Sequence, residues 1–263
     1  MKIPYVTLII PTHNRAGLLT RALTSINNQD YREQIEIIVI SDVDDSGTVV
    51  ACHENLKPQD LFVRRNGACG PSASRNLGLK IANGKYVMFL DDDDSWEDGF
   101  FKKLRELELN INVNYFNCNI IKERRLPLGP IKLSQVAIDT SKMLDINVFV
   151  KNQIHMSCLI FNKALVDKFK FDCSMRAYED WDFLLNIYKE FFPIHVPICC
   201  SNIFEVDDET TDRRGSSNDA LNFNAVLDYL YVYRRHEAPN PQVRQNRKLI
   251  LDSVGLNLPV DLL

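Results

Sequence analysis

Four consecutive carboxylates, at positions 91–94, directly follow a run of five apolar residues, 86–90, that includes valine and two aromatics. The apolar run predicts a strand buried on both faces. Four adjacent negative charges repel one another, and a hard divalent cation such as Mg²⁺ or Mn²⁺ offsets that repulsion while leaving positions free for phosphate oxygens. A solvated loop, or Asp94 and Ser95 capping a helix near Gly99, is the alternative interpretation.

The elements before this cluster follow a regular order. Apolar runs at 6–10, 35–40 and 61–63 predict three more strands, and helical spacing separates them over 18–26 and 72–82. Alternating strands and helices predict a parallel sheet with right-handed crossovers. Three of the four strands end in polar residues, and the carboxyl ends of parallel strands meet at one edge. We therefore expect a nucleotide-sized site there.

Familiar nucleotide motifs are missing from the sequence. No GxGxxG follows the first strand and no GxxxxGK[ST] occurs, which disfavours a dinucleotide-binding fold or a P-loop. A haloacid-dehalogenase-like phosphatase also places a DxD after a strand, with Asp91 as the nucleophile, but the run here continues to Ser95 and Trp96 rather than to Gly and Thr. It remains an alternative.

Four segments taken together resemble the successive motifs of family 2 glycosyltransferases with the GT-A fold. They are VTLIIPTHNR at 6–15, residues 37–48, GPSASRNLG at 70–78 and GKYVMFLDDDDSW at 84–96. The resemblance implies an α/β fold, a GT-A-like and mostly parallel sheet flanked by helices, with a C-terminal helical extension. It implies a GT-A domain over 1–215, with a nucleotide-sugar half (1–97) and an acceptor half (98–215), before an extension over 216–263.

The resemblance also implies a donor site for a nucleotide-diphosphate sugar. Asp42 ends the second strand and could accept a hydrogen bond from a base N–H, as uracil would supply, so UDP is favoured. Arg75 matches a nucleotide-contacting position, although a helix-surface arginine paired with a carboxylate is the other interpretation. The expected donor-site residues are Pro11, Thr12, Asn14, Asp42, Asn66, Arg75, Asp91 and Asp92.

Asp91 and Asp93 match the family's DxD motif. Alternation along an extended chain places both carboxylates on one side, and Asp93 is the expected direct ligand of Mn²⁺ or Mg²⁺, with Asp91 beside it. The cation would neutralise charge as the nucleoside diphosphate leaves.

The acceptor side of the site is expected downstream, at Glu179 and Asp180. Acidic residues are common in a first helical turn, but the segment also resembles the family's Glu-Asp-Trp element, which implies Asp180 as the general base and Glu179 as its support. Trp181 is either a platform for a sugar or a buried packing residue. His155 is a second candidate on the acceptor side.

The C-terminal third is less informative. Arg213 or Arg214 could close over the diphosphate, or the polar segment around them could be a plain surface loop. The aromatic and basic residues at 231–236 could contact an anionic membrane, pack on the domain or form a homodimer.

Composition limits the remaining classes of function. The net charge of -4 gives no support for a nucleic-acid partner, and no run of 18 apolar residues occurs. The seven scattered cysteines favour reduced thiols in a cytoplasmic protein, with action at the inner face of the membrane also open.

The resemblance to family 2 glycosyltransferases implies an inverting, metal-dependent glycosyltransferase of surface polysaccharide synthesis. It would move a hexosyl or N-acetylhexosaminyl group to a hydroxyl of a saccharide or a lipid-linked saccharide. A phosphatase and a non-catalytic nucleotide-sugar-binding protein are the alternatives.

Overall fold

The N-terminal part is the alternating α/β unit that the sequence predicts. The computed structural model describes residues 3–68, 70–109, 112–126, 129–175, 177–207 and 223–263, with only the backbone of 223–225. Four parallel strands alternate with three helices along the chain: β1 (Val6–Thr12), α1 (Ala16–Asn27), β2 (Ile35–Ser41), α2 (Ser46–Asn55), β3 (Leu61–Arg64), α3 (Pro71–Ile81) and β4 (Tyr86–Phe89).

The first two strands are buried along their whole length, as continuous apolar runs require. Helix α3 packs on this layer through Gly78, where an added Cβ would lie 2.4 Å from Cγ2 of Ile9. The predicted helix and strand order of this part is confirmed, with α2 located by the cap that Asp45 provides through hydrogen bonds from the N–H groups of Gly47 and Thr48.

The second half extends the same sheet with strands of both directions. Its elements are β5 (Ser95–Trp96), α4 (Phe100–Arg105), β6 (Val113–Leu126), β7 (Gly129–Ile138), β8 (Leu159–Asn162), α5 (Lys163–Val166), α6 (Glu179–Tyr188) and β9 (Ile194–Val206). Within the described residues the strand order is β3-β2-β1-β4-β8-β6-β9-β5, with β7 also paired to β6. Strand β8 runs antiparallel to β4, so the sheet is parallel in its N-terminal half and mixed beyond it.

Two C-terminal helices, α7 (Phe223–Arg235) and α8 (Pro241–Ser253), pack against α6 and the segment after β7. The fully buried guanidinium of Arg247 donates to the carbonyl oxygens of Phe149, Tyr233, Leu263 and His236. Of the three uses considered for this region, packing on the domain is thus what the structure shows. In the described part of the chain no helix is long and apolar enough to cross a membrane. The predicted boundary at 215/216 lies outside the described residues.

Candidate active site

A cleft of about 410 Å³ opens at the carboxyl ends of β1, β2 and β4. Its walls include Thr12, Asp42 and Asp91 from the strand ends, and Glu179 and Asp180 from the start of α6. The backbone pairing of β1 with β4 brings the carboxyl end of β1 beside the residues that follow β4, so that Thr12 Oγ1 donates to Asp92 Oδ2 at 2.7 Å. The two predicted halves of the site therefore share one cleft.

Arg75 connects these halves. From α3, its Nη2 donates to Asp91 Oδ1 and its Nη1 to Glu179 Oε1, each at 2.8 Å. Arg75 is only 4% exposed, so it is neither a surface arginine nor remote from the predicted site. Its paired carboxylates hold the pKa of the guanidinium above its usual range despite burial, and the side chain stays charged.

Asp180 is held in position by two hydrogen bonds. Its Oδ2 accepts from Asn152 Nδ2 at 3.0 Å and its Oδ1 from the N–H of Trp181 at 2.7 Å. Burial raises the pKa of the Asp180 carboxyl, with Arg75 opposing that shift. Burial and the neighbouring charge of Asp180 raise the pKa of Glu179 as well. A carboxylate with a raised pKa accepts a proton more readily, which suits a general base.

Asp42 has a nearly buried carboxylate at the end of β2, with its side chain 2% exposed. Its Oδ1 lies 2.5 Å from His13 Nδ1, and its Oδ2 accepts from the N–H of Gly70 at 2.7 Å and lies 3.5 Å from Arg65 Nη2. His13 and Arg65 were not singled out from the sequence, although both follow strands whose ends the sequence places at this edge.

The acidic run divides into buried and exposed members. Asp92 and Asp94 are buried. Asp94 accepts hydrogen bonds from Ser157 Oγ and the N–H of Phe204, and these contacts support the loop. Burial raises the pKa of Asp92 to about 6, against the opposing effects of Arg15 and Thr12. Burial raises the pKa of Asp94 well above its usual value.

Asp91 and Asp93 present their carboxylates to the cleft, with side chains 43% and 25% exposed. Within the described ranges no group of three His, Cys, Asp or Glu side chains is arranged to hold a metal ion. Two carboxylates in an open cleft, with remaining positions left to phosphate oxygens and water, match the way proteins commonly hold Mg²⁺ beside a substrate. The residues present thus fit a hard divalent cation that binds together with a phosphate group.

Two arginines that line the cleft, Arg15 and Arg125, were also missed by sequence reasoning. Arg15 lies within 3.1 Å of Asp93 and 2.5 Å of Asp92, and Arg125 lies 3.4 Å from Asp93. Arg15 ends the VTLIIPTHNR motif, which could have drawn attention to it. Arg125 belongs to β6, whose approach to the cleft depends on pairings distant in sequence.

The remaining residues that the sequence predicted for the site differ in their position relative to the cleft. Pro11 lines the cleft, whereas Asn14 and Asn66 are exposed and lie outside its lining; their contact with the donor stays a prediction. Trp181 is fully buried with its Nε1 donating to the carbonyl oxygen of Val148, which rules out a sugar platform. His155 is exposed and close enough to Asp91 for their charges to interact. Arg213 and Arg214 lie outside the described residues.

Residues 7–161 match the protein family described as Glycosyl transferase family 2. The chain belongs to that family. It is also 32% identical over 238 residues to the GalNAc(5)-diNAcBac-PP-undecaprenol beta-1,3-glucosyltransferase of Campylobacter jejuni subsp. jejuni serotype O:2, covering 86% of this chain and 72% of that protein. This glycosyltransferase is therefore an enzyme rather than a binding module, and the phosphatase alternative has no support.

Solved structures share the fold of this glycosyltransferase. A crystal structure of S. aureus TarS 1-349 in complex with UDP-GlcNAc has a TM-score of 0.58 at 16% identity, over 94% of this chain and 71% of that chain. Against a longer TarS chain the coverage is 43% of that chain. The mannosyltransferase PcManGT from Pyrobaculum calidifontis, in complex with GDP-Man and Mn²⁺, has a TM-score of 0.58 at 19% identity, over 99% of this chain and 78% of that chain. The predicted GT-A-like fold is confirmed.

Proposed function

We propose that this glycosyltransferase moves a sugar from a nucleoside diphosphate to a hydroxyl group of a saccharide or lipid-linked saccharide, with inversion at the anomeric carbon. The observation that supports it most directly is the Arg75 bridge, because it fixes the start of the DxD loop at Asp91 and the acidic helix start at Glu179 on one cleft. A donor between these two groups would have phosphates on one side and the acceptor on the other.

The reaction that we propose is a single displacement. The acceptor oxygen forms a bond to the anomeric carbon as the bond from that carbon to the diphosphate oxygen breaks, and the hydroxyl proton passes to a carboxylate oxygen of Asp180. Asn152 and the N–H of Trp181 hold that carboxylate in place. Because attack comes from the face opposite the leaving group, the configuration inverts.

Asp93, with Asp91 beside it, would hold Mn²⁺ or Mg²⁺. The bound cation supplies positive charge next to the leaving diphosphate. Asp42 would accept a hydrogen bond from the base, and a uracil N–H suits a carboxylate, which favours UDP. The fold neighbours carry UDP-GlcNAc in one case and GDP-Man with Mn²⁺ in the other, so their contents support a nucleotide sugar but do not select the base.

The name of the Campylobacter jejuni relative includes a saccharide on a diphosphate-linked undecaprenol. By analogy we propose a lipid-linked saccharide as the acceptor class and surface polysaccharide synthesis as the process, with transfer of a hexosyl or N-acetylhexosaminyl group. The enzyme would then work at the cytoplasmic face of a membrane, through contact with its substrate.

The decisive variant is Asp180→Asn, assayed for sugar transfer and for UDP binding. We expect transfer to fall by about 10²- to 10⁴-fold, the usual contribution of a general base, while UDP affinity stays near that of the parent protein. The exposed Asp98→Asn is the matched control and should leave both quantities unchanged. An Asp180→Asn protein with normal transfer would refute the assignment of the base, and absence of binding to any nucleoside diphosphate by the parent protein would refute the proposed function.

A further inference from the structure

Among the residues that the structure describes, six charged side chains form a cluster beside the donor end of the cleft, with three charges of each sign. We name it the arginine cluster, and its members are Arg15, Arg21, Arg125, Asp92, Asp93 and Glu123. All three arginines also line a neighbouring surface depression of about 470 Å³, and Arg15 and Arg125 line the cleft itself. Two guanidinium groups are therefore accessible to a ligand in the cleft.

Arg15 and Arg125 are each anchored on a buried carboxylate. Arg15 Nη2 lies 2.5 Å from Asp92 Oδ1, and its Nε donates to Asp92 Oδ2 at 3.3 Å. Arg125 Nε donates to Glu123 Oε1 at 2.9 Å. The side chains of Asp92 and Glu123 are 0% and 2% exposed, and a buried carboxylate is costly without its partner. These contacts hold the two guanidinium groups in place.

The other ends of both arginines point to a single oxygen. Arg15 Nη1 and Arg125 Nη2 lie 3.1 and 3.4 Å from Asp93 Oδ2. Both distances exceed the roughly 2.7–2.9 Å of a strong charge-assisted hydrogen bond. Arg21 differs, because its Nη2 donates at 2.5 Å to the backbone carbonyl of Asp93 and its guanidinium stacks on Phe204. Arg21 fixes the backbone, and the contacts to the Asp93 carboxylate are the weak ones.

We propose that Arg15 and Arg125 exchange partners when the donor binds. They leave the Asp93 carboxylate as it takes up a divalent cation, and their freed N–H groups donate to oxygens of the donor diphosphate. This inference rests on the proposed function. The charges of the cluster sum to zero without ligands. A cation alone would therefore leave a net positive charge, and a diphosphate alone would be repelled by the carboxylate of Asp93. The two ligands together restore the balance.

Cooperative binding follows from this exchange. Each ligand compensates the charge that makes binding of the other one alone unfavourable. By linkage, each must therefore raise the affinity for the other by the same factor. Without the exchange, attraction between a bound cation and the diphosphate would still couple their binding, but the arginines would not contribute to that coupling. Variants of the arginines and of Asp93 therefore distinguish coupling that depends on the exchange from coupling that does not.

The experiment measures Mn²⁺ binding by electron paramagnetic resonance, with and without UDP, and UDP binding by calorimetry, with and without Mn²⁺. The variants are Arg125→Gln and Asp93→Asn. The matched control is Arg124→Gln, which removes the same charge from the preceding residue of β6, where the side chain is 51% exposed and 3.7 Å from Asp207. Thermal unfolding of each variant verifies folding.

For Arg125→Gln we expect tighter binding of Mn²⁺ alone and about tenfold weaker binding of UDP in the presence of Mn²⁺, the effect of losing one hydrogen bond to a charged group. For Asp93→Asn we expect UDP to bind more tightly without metal than it binds to the parent protein, because both guanidinium groups are freed. Arg124→Gln should match the parent protein in all four measurements.

Two outcomes would overturn the exchange alone, given a parent protein that binds UDP with Mn²⁺. One is an Arg125→Gln variant that behaves like Arg124→Gln or binds Mn²⁺ alone more weakly. The other is an Asp93→Asn variant with unchanged metal-free affinity for UDP. A parent protein that binds neither UDP nor GDP with or without Mn²⁺ would overturn both the exchange and the proposed function.

Discussion

The guanidinium of Arg75 donates to one carboxylate from each half of the cleft, Asp91 and Glu179. It does so from inside the fold, where its charge requires those partners. Glu179 in turn lies beside Asp180, so the position of the proposed base depends on an arginine 104 residues from its partner Glu179. At the scale of single residues, this is the arrangement on which the assignment of the site depends most.

Arg75→Gln should reduce both stability and transfer. Removing one partner of a buried ion pair costs roughly 3–5 kcal/mol, and we expect about 3 kcal/mol because Asp91 stays partly exposed to water. Urea unfolding measures the stability, and transfer at a temperature where the variant is folded measures the activity. The exposed Arg64, paired with Asp44, gives the control Arg64→Gln, which should change neither. A folded Arg75→Gln enzyme with full activity would show that the contacts of Arg75 with Asp91 and Glu179 are not needed for transfer.

The pH profile of transfer should carry the signature of Asp180. Its active form is the carboxylate, so kcat/KM should fall about tenfold per pH unit below its pKa. Because burial raises that pKa, the acid limb should lie above the ordinary aspartate value of 3.8. Glu179 and Asp180 repel each other, and the limb therefore reports the pair. An acid limb at or below 3.8 would contradict the buried environment described for Asp180.

Helix α6 is the element that presents Glu179 and Asp180, and the C-terminal helices hold it. His236 follows α7 directly, and its Nε2 lies 2.8 Å from Oδ1 of Asp182 in the first turn of α6. Tyr233 on α7 donates to the carbonyl oxygen of Val150, two residues before Asn152, which contacts Asp180. The C-terminal helices thus support both the helix and the loop that position the base.

His236→Ala should lower the free energy of unfolding by roughly 1–3 kcal/mol, because it leaves the buried Asp182 carboxylate without one of its partners. We also expect kcat for transfer to fall while UDP affinity is unchanged, since the lost contact supports the acceptor half. Denaturant unfolding, kinetics and calorimetry measure the three quantities. Arg234→Ala, at an exposed neighbouring position, is the control. A matching loss of UDP affinity would show that His236 supports the whole fold rather than helix α6.

Alanine substitution should have opposite effects on stability at two glycines of the N-terminal half, Gly78 on α3 and Gly17 on α1. Gly78→Ala should destabilise the protein by about 1–3 kcal/mol, because the new Cβ would overlap the side chain of Ile9 at 2.4 Å. Gly17→Ala on α1 meets nothing within 4 Å and should stabilise by up to about 1 kcal/mol through helix propensity. Urea midpoints of the two variants test the packing of α3 on the sheet. Equal shifts of the midpoint in both variants would contradict the close contact between Gly78 and Ile9.

At the scale of the whole molecule, donor binding should stabilise the fold, since the cleft combines residues from both halves of the sheet. A ligand at 100 times its Kd adds about 2.7 kcal/mol, which is a shift of roughly 5–10 °C in Tm for a chain of this size. We expect that shift for UDP with Mn²⁺ and a smaller one for either alone. Thermal unfolding against UDP, GDP and dTDP, each with and without Mn²⁺, measures it. A flat response to all of them would contradict a nucleotide site.

The sequence by itself determined the N-terminal unit and the edge of the sheet at which the cleft opens. Fully buried strands need uninterrupted apolar runs, and these are visible in one dimension, as at 35–40 and 86–90. Parallel pairing then requires that their polar ends meet, which brought Thr12, Asp42 and Asp91 to one cleft. The acidic pair Glu179 and Asp180 was recognisable from local sequence too, because it directly precedes the apolar positions that predict α6.

Only the tertiary structure decided which side chains complete the site. Strands β6, β7 and β9 carry mixed polar residues and pair across long separations, so local pattern did not predict them, and Arg125 was missed with them. The burial of Trp181 and the exposure of Asn14 and Asn66 depend on neighbours distant in the chain. A residue type shows what chemistry is available, whereas burial and partner choice arise from contacts that form only when the chain folds.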